Sequence, residues 1–486
     1  MKMNAQNIKL TMVAVLLIAG GISVRAGIRY VSPTGNDANA GTSWAAAKLT
    51  VQAAVATAVT GDTVLVTNGV YALTSAINIT NAIVLTSVNG SSATILDGQQ
   101  AGRCVLINGF AATVNGFTLR NGRAINGGGV YCNGGTITNC VITNNQAVGD
   151  EPKGGGVYCD GGAVSHCVIS GNSVTSTNTY LYGAFAEGGG IYAVNQSQID
   201  HSTVVNNSLN GYYSNGGGII AEGGTVQNCT VSGNTAYGHW YADGGGVYMT
   251  ADLIRNCLIT DNNAHTDRGA YSANWADGGG VYFNGGGILE SSTVYGNTLD
   301  GDTSTGGGLS YGGLIRNTII YGNSATARMT AEGPNYYLNP YGPATFDHCC
   351  STPQPAGVGN IASAPGFMSD GYRLDTGSPC IDTGTNQAWM ATATDLDGNP
   401  RIANGTVDMG VYERSVSAPQ LTIIRSVANV ILTWPTNAAG FTLQSTTNLV
   451  SPAVWSTVSP VPVIVNGKNT VTNVISGTRK FFRLSQ

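Results

Sequence analysis

Charge is what this chain has least of. Asp, Glu, Lys and Arg make up only 10% of its 486 residues, and acids outnumber bases by 26 to 21. A formal net charge of −5 leaves no basic surface for nucleic acid or for unaided attraction to polyanions. Helical periodicity is nearly absent beyond the N-terminus, which excludes a helical bundle. Ten cysteines are present, but none form a Cys-x-x-Cys pair, which argues against a zinc site. Disorder is excluded as well, because 42% hydrophobic residues fill a sizeable core.

What is abundant is glycine, 69 residues of it, with Asn, Thr, Ser and Val. That mixture predicts many short strands joined by tight turns. The start is different. Lys2 and Lys9 flank an apolar stretch from Leu10 to Ile22, followed by Val24-Arg25-Ala26. Residues 1–26 therefore read as a secretory signal, too short and wrongly flanked for a stable membrane span. Cleavage near Gly27 removes Lys2, Lys9 and Arg25 and takes the net charge from −5 to −8. The expectation is an exported monomer, extracellular or at the cell surface (association with an outer membrane included), with no membrane span in the mature chain. Ser43 is placed to cap an amphipathic helix over Trp44 to Val59, laid across an open end of the fold.

A repeat governs the middle of the chain. Gly triplets begin at 127, 154, 188, 216, 244, 278 and 306, at intervals of 27, 34, 28, 28, 34 and 28 residues. An Asn follows each at 145, 172, 207, 234, 262, 297 and 323, after 18, 18, 19, 18, 18, 19 and 17 residues. From each Asn to the next triplet the distance is 9, 16, 9, 10, 16 and 9. Length variation is thus confined to one segment per repeat. The constant part holds strands that stack in register, and the variable part is expected to be a loop outside the stack. A period near 28 suits one coil of a parallel β-helix. Three residues before each Asn stands Ile or Val, and two further back Cys, Ser or Thr; period two puts both columns inside. The residue before each Asn is Asn, Gly or Asp, types that tolerate a left-handed turn. The Asn column itself suits a ladder of stacked amides.

On these features the chain resembles the secreted right-handed parallel β-helix proteins of the pectate-lyase-like superfamily. The GGG(V/I)Y…N pattern over 127–325 also resembles the repeats of chlamydial polymorphic membrane proteins. Residues 346–414 contain YRLDTGSPCIDTG and DLDGNPRIANGTVDMGVYE, similar to the terminal module called choice-of-anchor Q. The domains expected are a signal at 1–26, a β-helix at 27–345 and a module at 346–414 that closes the helix. A small β-sandwich is expected at 418–486, where apolar runs alternate with Pro, Asn and Gly. The expected class is all-β: a right-handed parallel β-helix with an N-terminal capping helix and a C-terminal sandwich.

Candidate chemistry is thinner. The variable segments carry Tyr180, Tyr182, Phe185, Tyr212, Tyr213, Tyr237, Trp240, Tyr241, Tyr271 and Trp275 on one side of four coils. Glu187, Asp243 and Asp277 stand directly before their triplets, with Asn215 in the same position of a fourth repeat. Rings stack on pyranose faces and acids accept hydroxyl hydrogen bonds, so Tyr182, Tyr212, Tyr213, Trp240, Tyr241, Trp275 and Glu187 are the candidate polysaccharide contacts. The competing explanation is that these loops fold back and bury their rings as a satellite core. The pectate-lyase-like resemblance implies Arg268 as a base, with Asp243, Asp267 and Asp277 around calcium. The paired-Asp and Gly-His-Gly patterns of the related glycosidases are missing. A binder of polysaccharide, a calcium-dependent lyase or a glycoside hydrolase, and a passive surface adhesin or rod all stay open.

Other clusters have plainer explanations. Asp395, Asp397 and Asp408 offer oxygens for Ca²⁺, but turn acids and caps look the same. His166 and His201 share a column with Asn139, Asn228, Asn256, Ser291 and Asn317, which explains them as an outward polar ladder. Arg255, Glu290 and Arg316 form an ion-pair ladder. The stacked cysteines read as buried thiols, and Cys349 or Cys350 with Cys380 is the pairing that lies outside the ladder.

Overall fold

The computed structural model describes residues 26–485 apart from 109–110, 179–183, 251, 268–273, 339–343, 415–418, 437–440, 451–452 and 477–478. Residues 1–25 of the segment expected to be a signal, and the candidates Tyr180, Tyr182, Arg268 and Tyr271, lie outside the described residues.

The chain is a right-handed parallel β-helix. Each coil contributes three short strands after its triplet, such as Val130–Asn133, Thr136–Thr138 and Val141–Thr143. These build a first sheet of ten strands, a second of 13 and a third of 11. Pairing is in register throughout: Val130 lies beside Val157, Ile137 beside Val164 and Ile142 beside Ile169. The inward columns are buried from Val31 through Cys349 as one continuous core. Parallel pairing runs beyond the expected limit at 345, to the strand Gly357–Val358.

The triplet is required at each of its positions. In the triplet 188–190, Gly188 has φ +64°, and a Cβ there would meet the Ile191 carbonyl oxygen at 2.4 Å. A Cβ on Gly189 would meet the Gly217 carbonyl oxygen at 2.2 Å, and one on Gly190 would meet Gly218 O at 2.8 Å. The residue before each ladder Asn also has positive φ, as at Asn144 (54°), Asn206 (55°) and Asp261 (56°).

The Asn column is a continuous amide ladder. Asn145 Nδ2 donates to Asn172 Oδ1 at 2.9 Å, and the same bond repeats from Asn172 to Asn207, Asn207 to Asn234, Asn234 to Asn262, Asn262 to Asn297 and Asn297 to Asn323. Each Oδ1 also accepts a backbone N–H of the preceding Asn. These side chains are 0–7% exposed.

Three expectations need correction. The N-terminal helix is not continuous: a 3-10 turn at Trp44–Ala46 is followed by α1 at Val51–Thr57. Lys48 interrupts them because its backbone bridges to Val31 and its Nζ binds the carbonyls of Asp37 and Asn39. Ser43 caps the first piece and Thr50 the second. Secondly, the variable segments are not loops outside the stack. They pair with one another as a fourth, ten-stranded parallel sheet, here termed the flange.

The third concerns residues 346–414, expected as one module that closes the end: its first strands extend the stack to Val358, and residues 366–414 leave it. They run back along the flank as a strap. Asn256 Nδ2 donates to Thr394 O, Asn317 Nδ2 to Thr385 O, and the Arg255 guanidinium lies 4.3 Å from the Trp389 ring centre. Val411 and Tyr412 pack on Leu258. The flank they cover carries the ion-pair ladder: Arg255–Glu290 at 2.7 Å and Arg316–Asp347 at 2.9 Å, with Glu290 buried. The C-terminal unit has four-stranded and three-stranded antiparallel sheets around Leu432, Trp434, Leu443, Val458 and Val471, the expected sandwich.

Candidate functional site

The flange arises because each variable segment goes out and returns as strand. Ser208–Asn215 and Thr235–Asp243 do so with a register shift between Gly211 and Tyr213. The two 15-residue segments, 173–187 and 263–277, are split, into Ser173–Ser176 with Phe185–Glu187 and Asn263–Thr266 with Trp275–Asp277. Inside the flange lies a second small core, with Leu209, Ala236 and Ala264 from the outgoing halves and Ala186, Ala242 and Ala276 from the returning ones. Small residues suit a two-layer structure this thin.

The returning halves read aromatic–small–polar: Phe185-Ala186-Glu187, Tyr213-Ser214-Asn215, Tyr241-Ala242-Asp243 and Trp275-Ala276-Asp277. They lie in register. Period two turns the small residue into the flange core and sets the ring and the acid on the other face. The rings form a ladder. Phe185 to Tyr213 is 4.8 Å between centres, Tyr213 to Tyr241 is 5.5 Å, and Tyr241 to Trp275 is 6.5 Å, all stacked. Tyr212 and Trp240 stack beside it at 6.1 Å.

These rings are half-buried rather than packed into the solenoid, and Trp275 is 37% exposed. One part of the expectation is corrected. Ring faces are largely taken by neighbouring rings, so most of the ladder shows edges and hydroxyls. Trp275 ends it, since its neighbour on the next coil is Thr303. Its far face is the platform on which a sugar ring could stack.

The polar positions form a seam between flange and first sheet. Thr305 donates its hydroxyl to Asp277 and contacts Ser310 Oγ at 3.2 Å on the first sheet. That sheet turns a tyrosine column outward, with Tyr131–Tyr158 stacked at 4.7 Å and Tyr248–Tyr282 at 5.1 Å. Asp243 and Asp277 are neighbours in register. Burial, reinforced by Asp277, pushes the Asp243 carboxyl well above the usual carboxylate range, and its Oδ1 is enclosed without a hydrogen-bond partner. Burial pushes Asp277 up to about 6 despite its bond from Thr305. Burial and the Asp243 charge also raise the Tyr282 phenol.

Further along the seam, Lys153 Nζ lies 2.6 Å from Glu187 and donates to Tyr192 Oη at 3.2 Å, and Tyr192 donates to Glu222 at 3.1 Å. Burial pulls the Lys153 value down, but Glu187 more than offsets this and leaves it raised. Glu187 is itself raised, because its burial outweighs the ion pair. At the flange tip, Asp267 accepts from Tyr237 and contacts His239 Nδ1 at 2.7 Å.

The other candidates have internal partners. Asp395 accepts from the backbone of Asp397, Asn399 and Glu413, and Asp408 from that of Asp382 and Arg414. Asp397 forms a bidentate pair with Arg373 at 2.6 Å. Among the described residues no three His, Cys, Asp or Glu side chains are grouped to hold a metal ion. His166 and His201 stack at 4.9 Å with φ +52° and +43°, corner positions shared with Asn139 and Asn228. Cys350 and Cys380 share an apolar cluster as hydrogen-bonded thiols, and all ten cysteines are buried and free. Sequence reasoning passed over Lys153–Tyr192–Glu222 and the tyrosine column, although the Tyr of GGG(V/I)Y was in plain view.

The fold and this site define the chain as a flanged right-handed parallel β-helix. No protein-family model matches it, and no curated protein does. Among solved structures it is similar to pectate lyase Pel9A, with 16% identity, TM-score 0.42, and 81% of this chain and 98% of that one covered. It is also similar to XylC in complex with xylose, with 11% identity, TM-score 0.29, and 92% and 100% covered. At such identities and scores neither neighbour assigns an activity. No described helix is long and apolar enough to cross a membrane.

Proposed function

We propose that this chain is an exported or surface-displayed protein that binds an extended polysaccharide along the flange side of its β-helix. The observation that carries the reading is the aromatic ladder, half-exposed, running with the helix axis and ending on the open Trp275. Beside it run acid, amide and phenol groups able to bond sugar hydroxyls. Tyr212, Tyr213, Trp240, Tyr241, Trp275 and Glu187 are the contacts we assign. In affinity electrophoresis, Trp275→Ala should weaken glycan retention by about tenfold, the worth of roughly 1.4 kcal/mol, with an unchanged circular dichroism spectrum. Equal retention of parent and variant across a broad panel of glycans would refute the reading.

A second reading, glycoside hydrolysis, draws support from the Asp243–Asp277 pair. Adjacent coils stand about 4.8 Å apart, near the roughly 5–5.5 Å carboxyl spacing of retaining glycosidases. A raised carboxyl suits a general acid. Reducing sugar released by the parent and not by Asp277→Asn would favour hydrolysis; no release from any bound glycan would sink it.

A further inference from the structure

The binding reading leaves the charge of the glycan open. We propose that the flange takes a neutral polysaccharide and turns away uronate- or sulfate-bearing ones; this rests on the function proposed above. The seven variable segments, 146–153, 173–187, 208–215, 235–243, 263–277, 298–305 and 324–332, carry nine carboxylates against three cations, and Arg123 on the first flange strand makes a fourth. Of those cations Lys153 is occupied by Glu187 and Tyr192. Arg328 lies 2.8 Å from the buried Asp302. Arg268 lies outside the described residues, and counting it leaves the excess of acid in place.

Anionic sugars are held by charge-assisted hydrogen bonds, above all from bidentate Arg. Lys153 is held by Glu187 and Tyr192, Arg328 engages Asp302 through Nε, and Arg123 donates to Gln146 Oε1, so each of these cations already has a partner on this chain. The seam has the opposite character. Asp243 and Asp277 sit side by side between flange and tyrosine column, and Asp243 Oδ1 accepts no hydrogen bond. Neutral sugars bring hydroxyls, which donate; ionised carboxylates and sulfates bring acceptors only. A polyanion laid along the flange would also meet the exposed Asp150, Glu151, Asp267 and Glu332 and the half-exposed Asp300, like charges within a Debye length of it.

The test needs one backbone with and without charge. Hydroxyethyl cellulose and carboxymethyl cellulose supply such a pair, and a broader panel sets neutral mannans and xyloglucan against polygalacturonate and alginate. Affinity electrophoresis of the full chain at low salt, with and without millimolar Ca²⁺, should show neutral polymers retained at least tenfold more tightly. The gap should narrow as salt rises. The double variant Asp300→Lys and Glu332→Lys should gain affinity for the anionic polymers and keep that for the neutral ones. Equal or tighter binding of the anionic member, with calcium or without, would overturn this inference and leave polysaccharide binding standing. Failure of every polymer, neutral ones included, would overturn both.

Discussion

At the scale of single residues, the ladder Asn and the seam acids carry the clearest consequences. Asn234 makes five bonds: its amide nitrogen donates to Val204 O and Asn262 Oδ1, its backbone N–H donates to Asn262 Oδ1, and its Oδ1 accepts twice from Asn207. Asn234→Ala would strand the Asn207 N–H in the interior, and each buried orphan costs about 1–3 kcal/mol. A loss of about 3 kcal/mol or more is expected, read from the midpoint of urea unfolding; a loss under about 1 kcal/mol would deny the ladder its structural role. Asp277 acts through pH. Its carboxyl rises from 3.8 to about 6 on folding. Between those values the folded chain holds a proton that the unfolded chain has released. Its contribution is therefore complete below pH 3.8 and is lost as pH rises through 6. Asp277→Asn keeps a partner for Thr305 and removes the titration. The slope of melting temperature between pH 4 and 6 should flatten, with a gain at pH 7 of up to about 3 kcal/mol, at roughly 1.4 kcal/mol per unit. An unchanged slope would mean that another group governs this window.

Elements are where legibility in the sequence divides. Triplets, Asn and inward columns could be read because stacking forbids any change in their spacing, and an error of one residue would turn a strand inside out. The flange could not be read from spacing, since its segments absorb all the variation in length. Its signal was of another kind. FAE, YSN, YAD and WAD stand before four successive triplets, an alternation that marks a strand with its small residue turned inward. The aromatics of these words were noticed as a potential site, but the Ala and Ser between them were not, and they are what makes the segments pair. The strap was similarly opaque: its motif pointed to a terminal module, but the side of the helix it lies on depends on contacts such as Arg255 with Trp389, over a hundred residues apart. The flange core gives a test. Ala242 is fully buried in it. Ala242→Leu would overpack a layer built for methyl groups, at about 1–3 kcal/mol. Because that layer is separate from the main core, the spread should be local: hydrogen exchange should quicken in the flange strands Ser208–Asn215, Thr235–Asp243 and Trp275–Asp277 and stay unchanged in the third sheet. Uniform quickening across all coils would show that flange and solenoid are one cooperative unit.

For the whole molecule, stacking implies nearly one-dimensional energetics, in which each coil is held chiefly by the coil on either side. Removing one entire coil should therefore cost little more than that coil. Residues 126–152 are the suitable choice. They form a full 27-residue repeat, and Lys153 pairs across the bridge with Asn126, so it would take that position while keeping Glu187. Val157 would then stack on Val105 and Ser173 would follow Arg123, positions that Val130 and Gln146 hold at present. Strap contacts on the flank begin at Arg255 and Asn256 and are untouched. The shortened chain should keep its far-ultraviolet strand signal and melt within a few degrees of the parent. Removing 126–138 alone takes away about half a coil and sets third-sheet strands beneath first-sheet ones, with inward columns facing the wrong neighbours. That variant should fail to melt cooperatively. If the full-coil deletion also fails, the chain depends on contacts longer in range than the next coil, and the flange and strap, rather than the repeat, would be what holds the solenoid together.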